Sequence, residues 1–190
     1  MPNKHGLNKV QRLLNLVGRN TLWRSADEIH VEAICNPTVF KTLMQYVQIH
    51  PELFVMLTTP HEPWIKLRIQ ADKLSLADYG IILTERYLAL AKVSHNIGLH
   101  VHLFHPQSIQ IPSYCHQYDR IREAKCFLER LGLPWKDFAS GWFGYNADTI
   151  RACEKLGIRR FHIPQFYNGC EKSDLMAFHV VRNCLHDWEL

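Results

Sequence analysis

The chain is predicted to fold as an α/β protein on a parallel sheet, either open or closed into a barrel. Strand-length runs rich in β-branched and aliphatic residues alternate with helical patterns along most of its length. One of those runs, "LFVMLTT", is apolar throughout, as expected of a parallel strand covered on both faces. Asn36-Pro37, Pro51 and Gly132 fall between such runs. With 190 residues, 47% of them hydrophobic, the chain can bury one sizeable core, so residues 1–190 are read as a single domain.

After a short helical lead, "NKVQRLLNLVG", the segment "EIHVEAIC" reads as a strand stopped by Asn36-Pro37, which also open a helix. In "PTVFKTLMQYVQ" the residues Val39, Phe40, Leu43, Met44 and Val47 recur at spacings of three and four, a core-facing stripe. Pro51 punctuates, and "LFVMLTT" is the second strand. The stretch from Pro60 to Tyr79 has weak periodicity and reads as a long loop with a short helix, the kind of insertion that often covers a site. "LTERYLALAKVSH" follows as a helix capped at or just before Thr84, then the strand "IGLHVHLF". "HQYDRIREAKCFLERLG" is the clearest helix, striped by Ile121, Ala124, Leu128 and Leu131 and ended by Gly132. "KDFASGWFGYN" gives a strand and a loop, and "NADTIRACEKLG" a helix from Asn146 to Gly157. "IRRFHIPQ" is a further strand, and the tail is expected to end in a strand near His186.

The formal net charge is +4, but the 22 Lys and Arg residues are scattered, which argues against a nucleic-acid partner. No run reaches membrane-spanning length and the N-terminal residues lack a signal-peptide pattern, so a cytoplasmic protein with no membrane partner is expected. The six cysteines show no CxxC pair or zinc-knuckle spacing, and are expected to be reduced and to act as small hydrophobes. Dinucleotide, NTP, serine-hydrolase and zincin signatures (GxGxxG, Walker loop, GxSxG, HExxH) are absent from the sequence.

The chemistry-bearing feature is "SHNIGLHVHLFHP". Strand alternation puts Ile97, Leu99, Val101 and Leu103 on one face, and Gly98, His100, His102 and Phe104 on the other. His100 and His102 therefore point together into the barrel or crevice, roughly 6–7 Å apart at the backbone, close enough to converge on one metal ion. A third ligand would come from another strand or from His105. The competing reading is a pair of core histidines satisfied by carbonyls or carboxylates.

"NIGLHVHLFHP" resembles the second motif of the polysaccharide deacetylase (NodB-homology, carbohydrate esterase family 4-like) superfamily, in which a strand of the type IGxH and a second His, often before a Pro, bind metal. "DFASGWFGYNADTIRACEKLGIRRFHI" and "CLHD" are similar to that family's later strand ends. The resemblance covers residues 29–187 loosely. It implies a distorted, incomplete (β/α) barrel of about six to seven mostly parallel strands, with a divalent metal at its mouth, zinc first, with nickel, cobalt or iron as alternatives. It implies a hydrolase that cleaves an N-acyl or related C–N bond of a carbohydrate or small-molecule substrate. Carried over by residue, His100 matches the first metal histidine, His105 the second and His186 the late histidine that protonates the leaving amine. The family's paired aspartates have no counterpart, since Cys35 and Asn36 stand in that region, and Ala139 and Ser140 stand where a basic residue is expected. A catalytically inactive member serving as a carbohydrate-binding or assembly module is the alternative.

Around this core, His61 and the adjacent Glu62 are candidates for a base or ligand from the loop after the second strand. Trp142, Phe143 and Tyr145 are candidates for an aromatic platform, and His162 and Asn36 for substrate contacts.

Overall fold

The protein is described by a computed structural model covering residues 26–62, 69–70, 73–104, 111–165 and 174–190. Seven strands, β1 (Glu28–Val31), β2 (Phe54–Leu57), β3 (Asn96–Val101), β4 (Asp137–Ser140), β5 (Arg160–Pro164), β6 (Ala177–Val181) and β7 (Cys184–His186), form one sheet in the order β6-β5-β4-β3-β2-β1-β7. Every pairing is parallel. Between them run α1 (Pro37–Ile49), α2 (Leu76–Leu90), α3 (Tyr114–Arg130) and α4 (Ala147–Lys155).

The sheet curls into an incomplete barrel, and its own side chains show this. Glu28 on β1 bonds His162 on β5, four strands away in the sheet order. A flat sheet would hold those strands roughly 19 Å apart, at about 4.8 Å per neighbour. The closure itself comes from the tail. Only Arg182 and Asn183 separate β6 from β7, far short of the dozen or so residues that a parallel crossover needs. The chain instead runs straight on, its first half against β5 and its second against β1. Asp27 fastens the join: its N–H donates to Asn183 O at 3.0 Å and its Oδ2 accepts from Arg182 N–H at 2.8 Å.

Outward-facing residues of the strands, among them Ile29, Val31, Val55, Leu57, Ile97, Leu99, Val101, Phe138 and Phe161, pack under Leu43 and Val47 of α1, Leu83 and Tyr87 of α2, Ile121 and Leu128 of α3, and Ile150 of α4. The aliphatic face expected for β3 is therefore the face that supports the helices.

Element bounds differ from expectation where tertiary contacts intervene. β1 stops at Val31 rather than running to Cys35, because the N–H groups of Glu32 and Ala33 donate to the Asp187 carboxylate (3.1 and 2.8 Å) instead of joining a ladder. α2 begins at Leu76, capped by Ser75, well before Thr84; its buried residues Tyr79, Leu83, Tyr87 and Leu90 show that the apolar stripe starts inside the stretch read as loop. Asn146 caps α4 in a reciprocal box with Thr149, as its position predicts. Gly132 and Gly157 follow α3 and α4 with φ of 67° and 77°, the left-handed turn that ends a helix at glycine.

Candidate metal centre

The inner face of the barrel is polar. Glu28 and His30 on β1, His100 on β3, Asp137 on β4 and His162 on β5 are all buried there, at 1% exposure or less. At the carboxyl end of the strands this column becomes a convergent site. Glu32, on the turn after β1, places Oε1 3.2 Å from His100 Nε2 and 3.3 Å from His102 Nε2.

Each imidazole is fixed from behind. His100 Nδ1 lies 3.2 Å from the Ala139 carbonyl oxygen. His102 Nδ1 lies 3.3 Å from Glu62 Oε2, and Glu62 also accepts from the His102 main-chain N–H at 3.3 Å and faces the Arg120 guanidinium at 3.4 Å. The His30 ring lies 3.8 Å from that of His100, and His30 Nδ1 is buried without a hydrogen-bond partner.

These contacts can be tested against a cation. Burial, and then the neighbouring His30, push His100 down to about 3, so its imidazole is neutral at ordinary pH. A neutral imidazole has one N–H, yet both His100 nitrogens face acceptors. If Nδ1 donates to Ala139, the Nε2 lone pair is aimed at a carboxylate oxygen. A divalent cation held by both atoms removes that conflict. Two donors bound 2.0–2.1 Å from one tetrahedral ion lie about 3.3 Å apart, close to the spacings at Glu32 Oε1. Burial disfavours the charged form of His102, but its bonds to Glu32 and Glu62 outweigh this and raise it to about 9. Without an ion it is an imidazolium between two carboxylates; with one, Nδ1–H stays on Glu62 and Nε2 is freed, the carboxylate–histidine–metal arrangement. The donors here that all lie within 4.8 Å of one another are those of His30, Glu32 and His100, which fit a divalent metal, with His102 bonded to the same Glu32 oxygen.

Two groups of three donors lie within 4.8 Å of one another among the described residues, His30/Glu32/His100 here and Glu28/His30/Cys184 deeper in the barrel.

No family profile and no curated protein matches the chain. Among solved structures it is similar to 4-alpha-glucanotransferase from Thermococcus litoralis, with a TM-score of 0.47 and 16% identity over 78% of this chain. The chain spans 24% of that protein's length.

The mouth is shaped by the loop after β4. Trp142 and Phe143 both adopt φ of 51°, a left-handed conformation costing on the order of 1–2 kcal/mol per non-glycine residue. Gly141 lies so close to His102 that a Cβ there would collide with the imidazole ring. Trp142 stands edge-on to His102 at 4.3 Å between ring centroids and is 49% exposed. Opposite, His186 on β7 pairs in register with His30, lies 5.2 Å from its ring and stacks on Trp188 at 4.3 Å. Burial, then His30, lower its pKa from the ordinary value.

The structure thus brings together His100, His102, Trp142 and His186. His105 lies outside the described residues. His61 is exposed, with its carbonyl held by Arg120, while its neighbour Glu62 turns inward. His162 is buried between Glu28 and Asp137, both nitrogens occupied. Asn36 caps α1, its Oδ1 accepting from Thr38 and Val39 N–H groups at 2.9 and 3.3 Å. Tyr145 is 7% exposed and packs on Phe161 in the core beneath the helices.

Glu32 is not among the residues expected from the sequence, where the comparable carboxylate position falls at Cys35 and Asn36. The signal was there: Glu28, His30 and Glu32 alternate with Ile29 and Val31, the same period-two pattern as in β3. Asp187 and Arg120 carried no such signal, since they reach the site only through tertiary contacts.

Proposed function

We propose that this protein is a metal-dependent hydrolase acting on an N-acyl or related C–N bond of a sugar or small molecule, with Glu32, His100 and His102 as its metal ligands. The observation that carries the reading is Glu32 Oε1, shared by two imidazole Nε2 atoms, one of them on a neutral ring with acceptors at both nitrogens.

An ion held there would supply Lewis acidity toward a carbonyl oxygen and a water. The chain's own residues do the rest. Glu62 and Arg120 hold the His102 ring from behind, and Asp187 clamps the main chain at Glu32 and Ala33. His186 Nδ1 lies 3.5 Å from Glu189 Oε2, which leaves Nε2 as the exchangeable nitrogen. Because its imidazole rests neutral, His186 takes a proton from the attacking water and returns it to the leaving amine, base first and acid second. One residue in both roles accounts for the missing aspartate base. Trp142 offers an apolar face beside His102 for a sugar ring.

The test is release of carboxylate from a panel of N-acetylated sugars and aryl amides with zinc, cobalt or nickel. Turnover is expected in the wild type, its loss in Glu32→Gln, and a fall on the order of 10²–10⁴-fold in His186→Ala with metal content unchanged. Stoichiometric metal without turnover on any amide would leave a binding module, and turnover indifferent to Glu32→Gln would overturn the site.

A further inference from the structure

We propose a second cation position deeper in the barrel, formed by Glu28, His30 and Cys184, that takes a borderline-soft divalent ion such as zinc or cobalt. This goes beyond the hydrolase reading and does not depend on it.

Register sets the position. Glu28 on β1 is paired directly with Cys184 on β7, and His30 sits one inward step further along β1. Each offers a donor atom, and the three atoms lie within 4.8 Å of one another. Glu28 and His30 are fully enclosed, and Cys184 is partly so. His30 Nε2, which contacts Glu28 Oε1, is the nitrogen on the Glu28 side, while Nδ1 is buried without a hydrogen-bond partner at 1% exposure. A buried imidazole nitrogen without a partner is costly, so the protein alone does not satisfy this ring.

The donor chemistry selects the ion. Thiolate, imidazole and carboxylate together suit zinc or cobalt and disfavour magnesium and calcium, which demand oxygen ligands. Burial and the Glu28 carboxylate hold the Cys184 thiol protonated in the free protein. Binding therefore breaks the S–H bond, forms the metal–sulfur bond and releases that proton to solvent. The new thiolate offsets part of the added charge, and the Glu28 carboxylate is shared with His162.

Cobalt titration of the full-length protein reads this directly, because only the lower position contains sulfur. The wild type should develop a near-ultraviolet thiolate-to-cobalt charge-transfer band, and Cys184→Ser should lose that band while keeping the visible bands of the upper ion. A Glu32→Gln/His102→Ala variant should show the reverse. Circular dichroism confirms that each variant is folded. Cobalt binding with no charge-transfer band in the wild type would overturn the lower position and leave the upper one intact. A band that survives Cys184→Ser would assign it to another cysteine and overturn it equally.

Discussion

Glu32 is the residue on which the site turns, and its position is set by partners remote in sequence. Its side chain meets His100 and His102, while Asp187 accepts from its main-chain N–H. Burial opposes its charge, but the two histidines more than offset this and hold it well below the usual carboxylate range. Glu62 plays the matching part for His102. Glu62→Gln keeps an acceptor for His102 Nδ1 but removes the charge, so metal affinity should fall about 10–100-fold with the fold retained; competition with a chelating dye measures this, and unchanged affinity would remove Glu62 from the centre. Gly141→Ala drives a methyl against the His102 ring, with an expected destabilisation of about 1–3 kcal/mol and loss of metal, read by urea unfolding and metal analysis.

At the scale of elements, the strands were largely legible. β3 could be read for both its faces because alternation is local: aliphatic under the helices, histidine inside. The same alternation in "EIHVE" puts Glu28, His30 and Glu32 on one face, but "EIHVEAIC" reads as a single strand to Cys35, so nothing local marks Glu32 as the carboxylate at the strand's end. The early start of α2 was hidden by an apolar stripe overlapping the apparent loop. Partner choice was not legible at all: Glu62 to His102, Arg120 to Glu62 and Asp187 to Glu32 join residues 40, 58 and 155 positions apart. Asn36 illustrates the limit from the other side, since its place beside Pro37 suits a cap as well as a site. Asn36→Ala should cost about 1 kcal/mol in chemical unfolding and leave metal binding untouched; a change in metal affinity would return it to the site.

For the whole molecule, the polar barrel interior couples stability to pH. His162 is buried against Asp137 and Glu28; burial opposes its charge, but those carboxylates raise it to about 9. A group raised from 6.5 contributes fully below that value and loses its contribution as pH climbs through 9. Glu28 works in the opposite direction: burial opposes its charge, but His30 and His162 hold it at about 2, so its contribution is full above 4.5 and fades toward pH 2. His100, lowered to about 3 chiefly by burial, stays neutral in the fold, so its contribution is full above 6.5 and fades as pH falls toward 3. Metal-free protein should therefore be most stable near pH 6.5 and weaken on both sides. Urea unfolding across pH checks this, and the alkaline slope should be shallower in His162→Gln; an identical slope would exclude His162 as its source.

The central claim is that Glu32, His100 and His102 form a metal centre. Its most direct test is the metal content of protein purified without an affinity tag and dialysed exhaustively, compared with a folded His100→Ala/His102→Ala variant. The wild type is predicted to hold one divalent ion per chain more than the variant. Equal metal content in the two, or none in the wild type, would contradict it.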